Sequence, residues 1–234
     1  METKMNQVIN TDLKEIQNLL ELRVFAYDIL RRTFLEEPTK ELVGKFQDGI
    51  INFFPFKEEH ILLTEGTNLV HQYFETFNMD ANYEELHWDY TRMFIGPYQL
   101  PAPMWESSYV NKDGLLFQEE TLRVRRFYLE YCFEPLHYGR EADDHLGLEL
   151  DFMYQLSNMS NELLMKEEIP QLIKILTDQR DFLNEHLLNW IPKFRSNVTN
   201  HADTTFYKGM ANILNGFLII DQTCLDEISS KLRI

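Results

Sequence analysis

The chain has 234 residues, 44% of them apolar and 13% aromatic, enough material for one sizeable core or two small ones. Its 38 acidic residues outnumber 22 basic ones, giving a formal charge of −16. Neutralising phosphates needs a basic face, so this balance argues against a nucleic-acid partner and suits a basic one.

In chain order, Met1 to Asn10 has no basic stretch followed by an apolar core, so no signal peptide is expected. Thr11 reads as an N-cap, and Leu13, Ile16, Leu20, Val24, Tyr27, Leu30 and Phe34 recur at helical spacing up to Pro38. A second helix follows Pro38-Thr39 and breaks between Asn52 and Pro55. A third runs from about Lys57 to Asn78, with Ile61, Leu69, Tyr73 and Phe77 on its apolar face. Asn82 is expected to cap a segment ending at Phe94, with Leu86, Tyr90, Met93 and Phe94 as its stripe. A proline-rich loop comes next, closing at the turn signal Asp113-Gly114. Helical spacing resumes from Leu116 to Phe133, and Pro135 and Gly139 mark a second break before Arg140. Further helices are expected from Asp143 to Met165, from Ile169 to Trp190 with a stop near Pro192, and from Asp203 to Leu225. Alternating strand patterns with hairpin turns are missing, so the class is all-α. One domain spanning 1–234, a bundle of roughly nine to eleven helices with the proline-rich loop mid-chain, is the expected organisation. Cys132 and Cys224 form no CxxC pair, which argues against a disulfide framework or a thiolate zinc site and fits a reducing compartment. Apolar runs such as Phe217 to Ile220 are too short to span a bilayer, so a soluble, cytoplasmic protein without stable membrane insertion is expected.

Two stretches stand out for function. The loop from Gly96 to Glu106 carries Pro97, Pro101 and Pro103, which fix φ and remove backbone donors, and it presents Trp105 beside Glu106. A stiff loop holding an indole suits recognition or a structural clasp. The second stretch, Glu141 to Leu150, gathers acids at the start of an expected helix, where the macrodipole favours negative charge and Asp143 can cap. His145 and Glu149 are four apart and share a face. Asp143, Asp144, His145 and Glu149 therefore define an alternative, a helical metalloenzyme, although no second such pair completes a di-metal pattern. His186 and Trp190 also stand four apart, with only Glu185 as a nearby acid. No GxSxG elbow, P-loop or catalytic cysteine context occurs, so no enzyme activity is expected. The arginine pairs Arg31-Arg32 and Arg125-Arg126 lie inside expected helices and read as solvated charges rather than export signals.

Taken together, Tyr90-x-x-Met93-Phe94-Ile95-Gly96-Pro97, Pro101-Ala102-Pro103-Met104-Trp105-Glu106-Ser107-x-Tyr109, Asp144-His145-Leu146-Gly147-Leu148-Glu149-Leu150 and Phe182 to Trp190 resemble the TorD/DmsD family of redox-enzyme maturation chaperones. Met104 and Ala142 stand where that family often has proline, and Tyr90 where it often has tryptophan. The resemblance implies an all-helical cytoplasmic protein with no catalytic role, cofactor or metal of its own. It also implies a client, the twin-arginine signal peptide of a molybdopterin oxidoreductase precursor, whose export is held back until its cofactor is inserted. The related NarJ branch instead serves the mature apo-enzyme subunit. Both partners stay open here, as do monomer and dimer. On this resemblance the peptide site comprises Tyr90, Phe94, Pro103, Trp105, Glu106, Asp144 and His145. Asp144 and Glu106 would pair with arginine, Tyr90, Phe94 and Trp105 would line an apolar groove, and His145 would orient Asp144 or the loop.

Overall fold

The computed structural model describes residues 2–97, 99–111, 119–134 and 141–232, with side chains from residue 12 onward. Tyr98, the Asp113-Gly114 turn, Leu116 and the break with Pro135 and Gly139 lie outside the described residues. Within them, helices α1 (Glu2–Phe34), α2 (Lys40–Gln47), α3 (Ile61–Glu75) and α4 (Met79–Tyr90) lead to the proline-rich loop. After it come α5 (Ser107–Val110), α6 (Glu119–Glu130), α7 (Leu146–Met165), α8 (Ile169–Phe182), α9 (Leu188–His201) and α10 (Thr205–Lys231). A 3₁₀ turn spans Ile50–Phe53, and π turns span Thr91–Ile95 and Leu183–Leu187. No strand forms among the described residues, so the all-α expectation is correct. Nor is any helix among them long and apolar enough to cross a membrane.

α10 is buried along most of its length, from Phe206 to Ser229, and packs against α3, α9, α1 and α8. A helix apolar on nearly every side must sit inside its neighbours. The α3–α10 crossing is close because it is glycine on glycine: a Cβ at Gly66 would lie 2.7 Å from the Gly209 carbonyl oxygen. Around it, Phe46, Phe74, Phe77 and Phe206 form an aromatic cluster, each fully buried ring contributing about 1.5–3 kcal/mol. A polar knot ties three helices together in this core. Arg23 Nε meets Asp221 Oδ1 at 2.5 Å, Arg23 Nη2 donates to Gln179 Oε1 at 2.7 Å, and the Tyr27 hydroxyl donates to Asp221 Oδ2 at 2.7 Å.

Several boundaries differ from the sequence expectation. α1 runs through Thr11, which therefore caps nothing. α3 starts at Ile61 because His60 Nδ1 accepts from Leu62 N at 3.2 Å. The cap of α4 is Asn78, whose side chain accepts from Asp80 N and Ala81 N, while Asn82 Oδ1 takes the Asn78 N–H in return. Pro192 does not stop the helix; α9 continues to His201. The proline sits on the exposed side, so the carbonyl it strands can face water, while Trp190, Ile191, Phe194 and Val198 bury the opposite side. Likewise α10 runs past Leu225 to Lys231.

Candidate functional site: an acid-rimmed cleft above a buried carboxylate cluster

α4 ends at Tyr90, and the π turn that follows closes with Gly96 N donating to Thr91 O at 2.8 Å. Such turns recur at functional sites, and here both π turns carry site residues. From Gly96 the chain enters the proline-rich loop, which is pinned to the start of α7. Leu146 N donates to Met104 O at 2.7 Å and Glu106 N to Asp144 O at 3.0 Å, pairing Trp105 with His145 in an isolated antiparallel bridge. Their rings meet edge to face, 5.7 Å between centroids.

α7 begins at Leu146, later than expected, and its N-cap is His145 rather than Asp143. His145 Nδ1 accepts from Gly147 N at 3.1 Å, which requires the neutral ring. Burial enforces this, pulling the imidazole down to about 4 against a partial upward pull from Asp144. Gly147 is what lets α7 start against the end of α1, since a Cβ there would lie 2.4 Å from Leu35 Cα.

Between these segments lies a cleft of about 420 Å³. Of the expected site residues it gathers Tyr90, Phe94, Trp105 and His145. Leu35, Ile95, Leu100 and Met104 add apolar walls, and Glu36 and Glu141 add charge. Tyr90 and Phe94 are buried and show the cleft only part of their surface, whereas Trp105 is half-buried. The Tyr90 hydroxyl donates to Phe34 O at 3.3 Å and touches Met104 Sδ at 4.0 Å, so two of the departures from the family pattern meet each other. Its phenol is held well above the ordinary value, first by burial and then by the carboxylates of Glu37, Glu36 and Glu141. Burial likewise raises the Glu141 carboxyl, with Trp105 pulling the other way. Pro103 is half-buried in the loop and is not among the described residues that line the cleft.

The other two expected residues, Asp144 and Glu106, point inward. Asp144 is 0% exposed; its Oδ2 accepts from Ser107 N and its Oδ1 from Thr121 Oγ1, both at 2.9 Å. Glu106 is 2% exposed and faces His186, with Nδ1 to Oε2 at 2.7 Å. His145 Nδ1 is engaged by the cap, and both Asp144 oxygens are engaged by Ser107 N and Thr121 Oγ1. The cluster of Asp143, Asp144, His145 and Glu149 does not assemble. Asp143 Oδ2 instead holds Arg125 Nε at 2.5 Å, and the Asp143 carbonyl takes the Tyr128 hydroxyl. Arg125 and Arg31 are therefore not merely solvated: Arg31 bonds Asp28 and Asp151 and lies 4.0 Å from the Tyr154 ring centre.

What comes together instead is Glu106, Glu149 and His186, with one donor atom from each within 4.8 Å of the others. His186 comes from the second π turn and packs edge to face on Phe127 and at a tilt on Phe182. Glu149 Oε2 accepts from Trp190 Nε1 at 3.3 Å, while Glu149 Oε1 and His186 Nε2 have no hydrogen-bond partner among the described residues. Burial, followed by the charges of Glu106 and Asp144, holds the Glu149 carboxyl well above its ordinary value. The sequence showed His186 and Trp190 as an i,i+4 pair, but not that Glu106 and Glu149 would complete the group.

Glu36 and Glu141 were missed as cleft residues. One signal was available: Glu36 and Glu37 lie just beyond the carboxyl end of α1 at Phe34, with Leu35 between, where the macrodipole disfavours acids.

The fold and site thus define an all-helical protein with a preformed, acid-rimmed aromatic cleft. It belongs to the nitrate reductase delta subunit family, which matches residues 62–196, more than half of the chain. Chaperone protein TorD of Vibrio cholerae serotype O1 is 27% identical over 218 residues, covering 92% of this chain and 97% of that protein. Chaperone protein TorD of Vibrio vulnificus is 26% identical over 215 residues, covering 91% and 99%. A crystal structure of a candidate redox enzyme maturation protein from Archaeoglobus fulgidus aligns with a TM-score of 0.46 at 23% identity, covering 86% of this chain and 93% of that one. The resemblance to TorD proteins read from the sequence blocks is correct, and the matched span contains Tyr90, Trp105, Asp144 and His186.

Proposed function

We propose that this protein is a cytoplasmic maturation chaperone for a molybdopterin oxidoreductase subunit, acting as a single helical unit and by binding alone. It receives the twin-arginine leader of the precursor at the Trp105 cleft and so delays export until the cofactor is in place. The observation that carries this reading is the meeting of Trp105, Tyr90 and Phe94 with Glu36 and Glu141 around one opening. A twin-arginine leader joins a basic pair to an apolar segment, so its receptor needs carboxylates at the rim and aromatic surface within. Glu36 and Glu141, which are exposed, supply the charge that the resemblance assigned to Glu106 and Asp144. A volume of about 420 Å³ holds one or two side chains rather than a whole leader, so one anchor enters and the rest lies across the surface. Exposed Ile95 and Trp88, on or near the first π turn, extend an apolar surface for that remainder.

Calorimetric titration with synthetic leaders from the host's molybdoenzymes, beside twin-lysine controls, tests the proposal. Saturable binding near 1 μM, about −8 kcal/mol, that weakens for twin-lysine is expected. Arginine's planar fork engages a carboxylate through two bonds and lysine's ammonium does not. Absence of binding by every leader, with binding to a mature apo-subunit, would select the NarJ-like alternative.

A further inference from the structure

We propose that Glu106, Glu149 and His186 form a binding site for a divalent first-row metal ion, with Zn²⁺ the expected occupant. This does not depend on which client the cleft receives.

Four observations converge. The three side chains come from the end of the proline-rich loop, from α7 and from the second π turn, yet present donor atoms within 4.8 Å of one another. All three are buried, and Glu149 Oε1 and His186 Nε2 lack any hydrogen-bond partner among the described residues, in a core where buried polar atoms are normally paired. Glu106 and Glu149 repel each other, and in a dry interior such a pair calls for a proton or a cation; His186 Nδ1 already meets Glu106 Oε2 at 2.7 Å, so an ion would replace that contact. Finally, Trp190 Nε1 holds the second oxygen of Glu149, the kind of outer hydrogen bond that orients a ligating carboxylate. Asp144 is not a fourth ligand, because Ser107 N and Thr121 Oγ1 already engage both of its oxygens.

The donor set selects the ion. One imidazole and two carboxylates suit a small ion that accepts nitrogen and oxygen at low coordination number. Calcium prefers six to eight oxygens, and magnesium keeps several waters in an octahedron. Among first-row ions, Zn²⁺ binds such sites more tightly than Mn²⁺ or Fe²⁺. Because Glu106 directly follows Trp105, the ion would staple the cleft loop to α7 and to the helix carrying His186.

The test is titration of Zn²⁺ into metal-stripped full-length protein, with helicity followed by circular dichroism. One ion per chain is expected, at a dissociation constant of roughly 1 μM or tighter. Glu149→Gln and His186→Gln should each weaken binding by more than about 100-fold while staying helical, since even outer-shell changes cost 10–100-fold. His71→Gln, at the exposed His71–Glu75 pair, should leave it unchanged and so accounts for ions held on the acidic surface. Co²⁺ added to the wild type should give the intense ligand-field bands of a low-symmetry nitrogen and oxygen site, a readout that needs no variant. The proposal is overturned if the wild type takes up no stoichiometric ion, if the two variants bind as well as the wild type, or if Co²⁺ shows only its weak octahedral aquo spectrum.

Discussion

The cleft and the cluster beneath it are built from neighbouring residues, yet they obey opposite rules. Trp105 faces the opening and Glu106 faces the core; His145 lines the cleft and Asp144 is sealed within. At the rim, Glu36 and Glu141 are exposed to solvent and screened. Inside, Asp144 is a tie whose oxygens hold α5 and α6 against the start of α7. The comparison teaches that an acid's chemistry here is set by its side of the loop, not by its place in a motif.

Removing an inner acid should have the largest effect on stability. Asp144→Ala leaves the Ser107 N–H and the Thr121 hydroxyl without their buried acceptor, and a loss of about 3 kcal/mol in urea denaturation is expected. The same substitution should leave leader affinity per folded molecule unchanged. Weaker binding at full stability would put Asp144 back at the surface.

His145 sharpens the comparison through pH. Its folded value, about 4, lies below the unfolded value of roughly 6.5, so the folded state binds fewer protons between them. Its contribution is therefore complete above about pH 6.5 and is lost as pH falls toward 4. His145→Asn keeps a cap that does not titrate. The stability difference between wild type and this variant should shift by roughly 2–3 kcal/mol in the variant's favour over that window. A pH-independent difference would mean that the ring is not the buried neutral cap.

The smallest effects belong to the rim. Glu36→Gln with Glu141→Gln should change stability by less than about 0.5 kcal/mol. Leader binding should weaken by roughly 1 kcal/mol at low salt, and the gap should close as salt rises. An undiminished affinity at low salt would show that the rim carboxylates do not meet the leader.

Much of this architecture is legible in the sequence, because helices with a strong apolar period announce themselves. The stripe from Ile16 to Phe34 and the run from Phe206 to Leu225 became α1 and α10. Ends were harder, since caps compete locally: Asn78 and Asn82 bond each other, and only the structure shows which one leads. Pro192 misled because it sits on the exposed side of α9, where the helix runs on past it. For the site, the motif blocks located Trp105, Tyr90, Phe94 and His145 at the cleft. Which carboxylates face outward was not legible. That depends on partners far along the chain, such as His186, 80 residues from Glu106, and Thr121, 23 residues from Asp144.

Titration of one twin-arginine leader into wild-type protein and into Trp105→Ala bears most directly on the central claim that the cleft is the leader's receptor. A half-buried indole at the centre of an interface typically carries 2 kcal/mol or more, so affinity should fall by about 30-fold or more with helicity unchanged. Equal affinity for both proteins would contradict the account and move the leader's site away from the proline-rich loop.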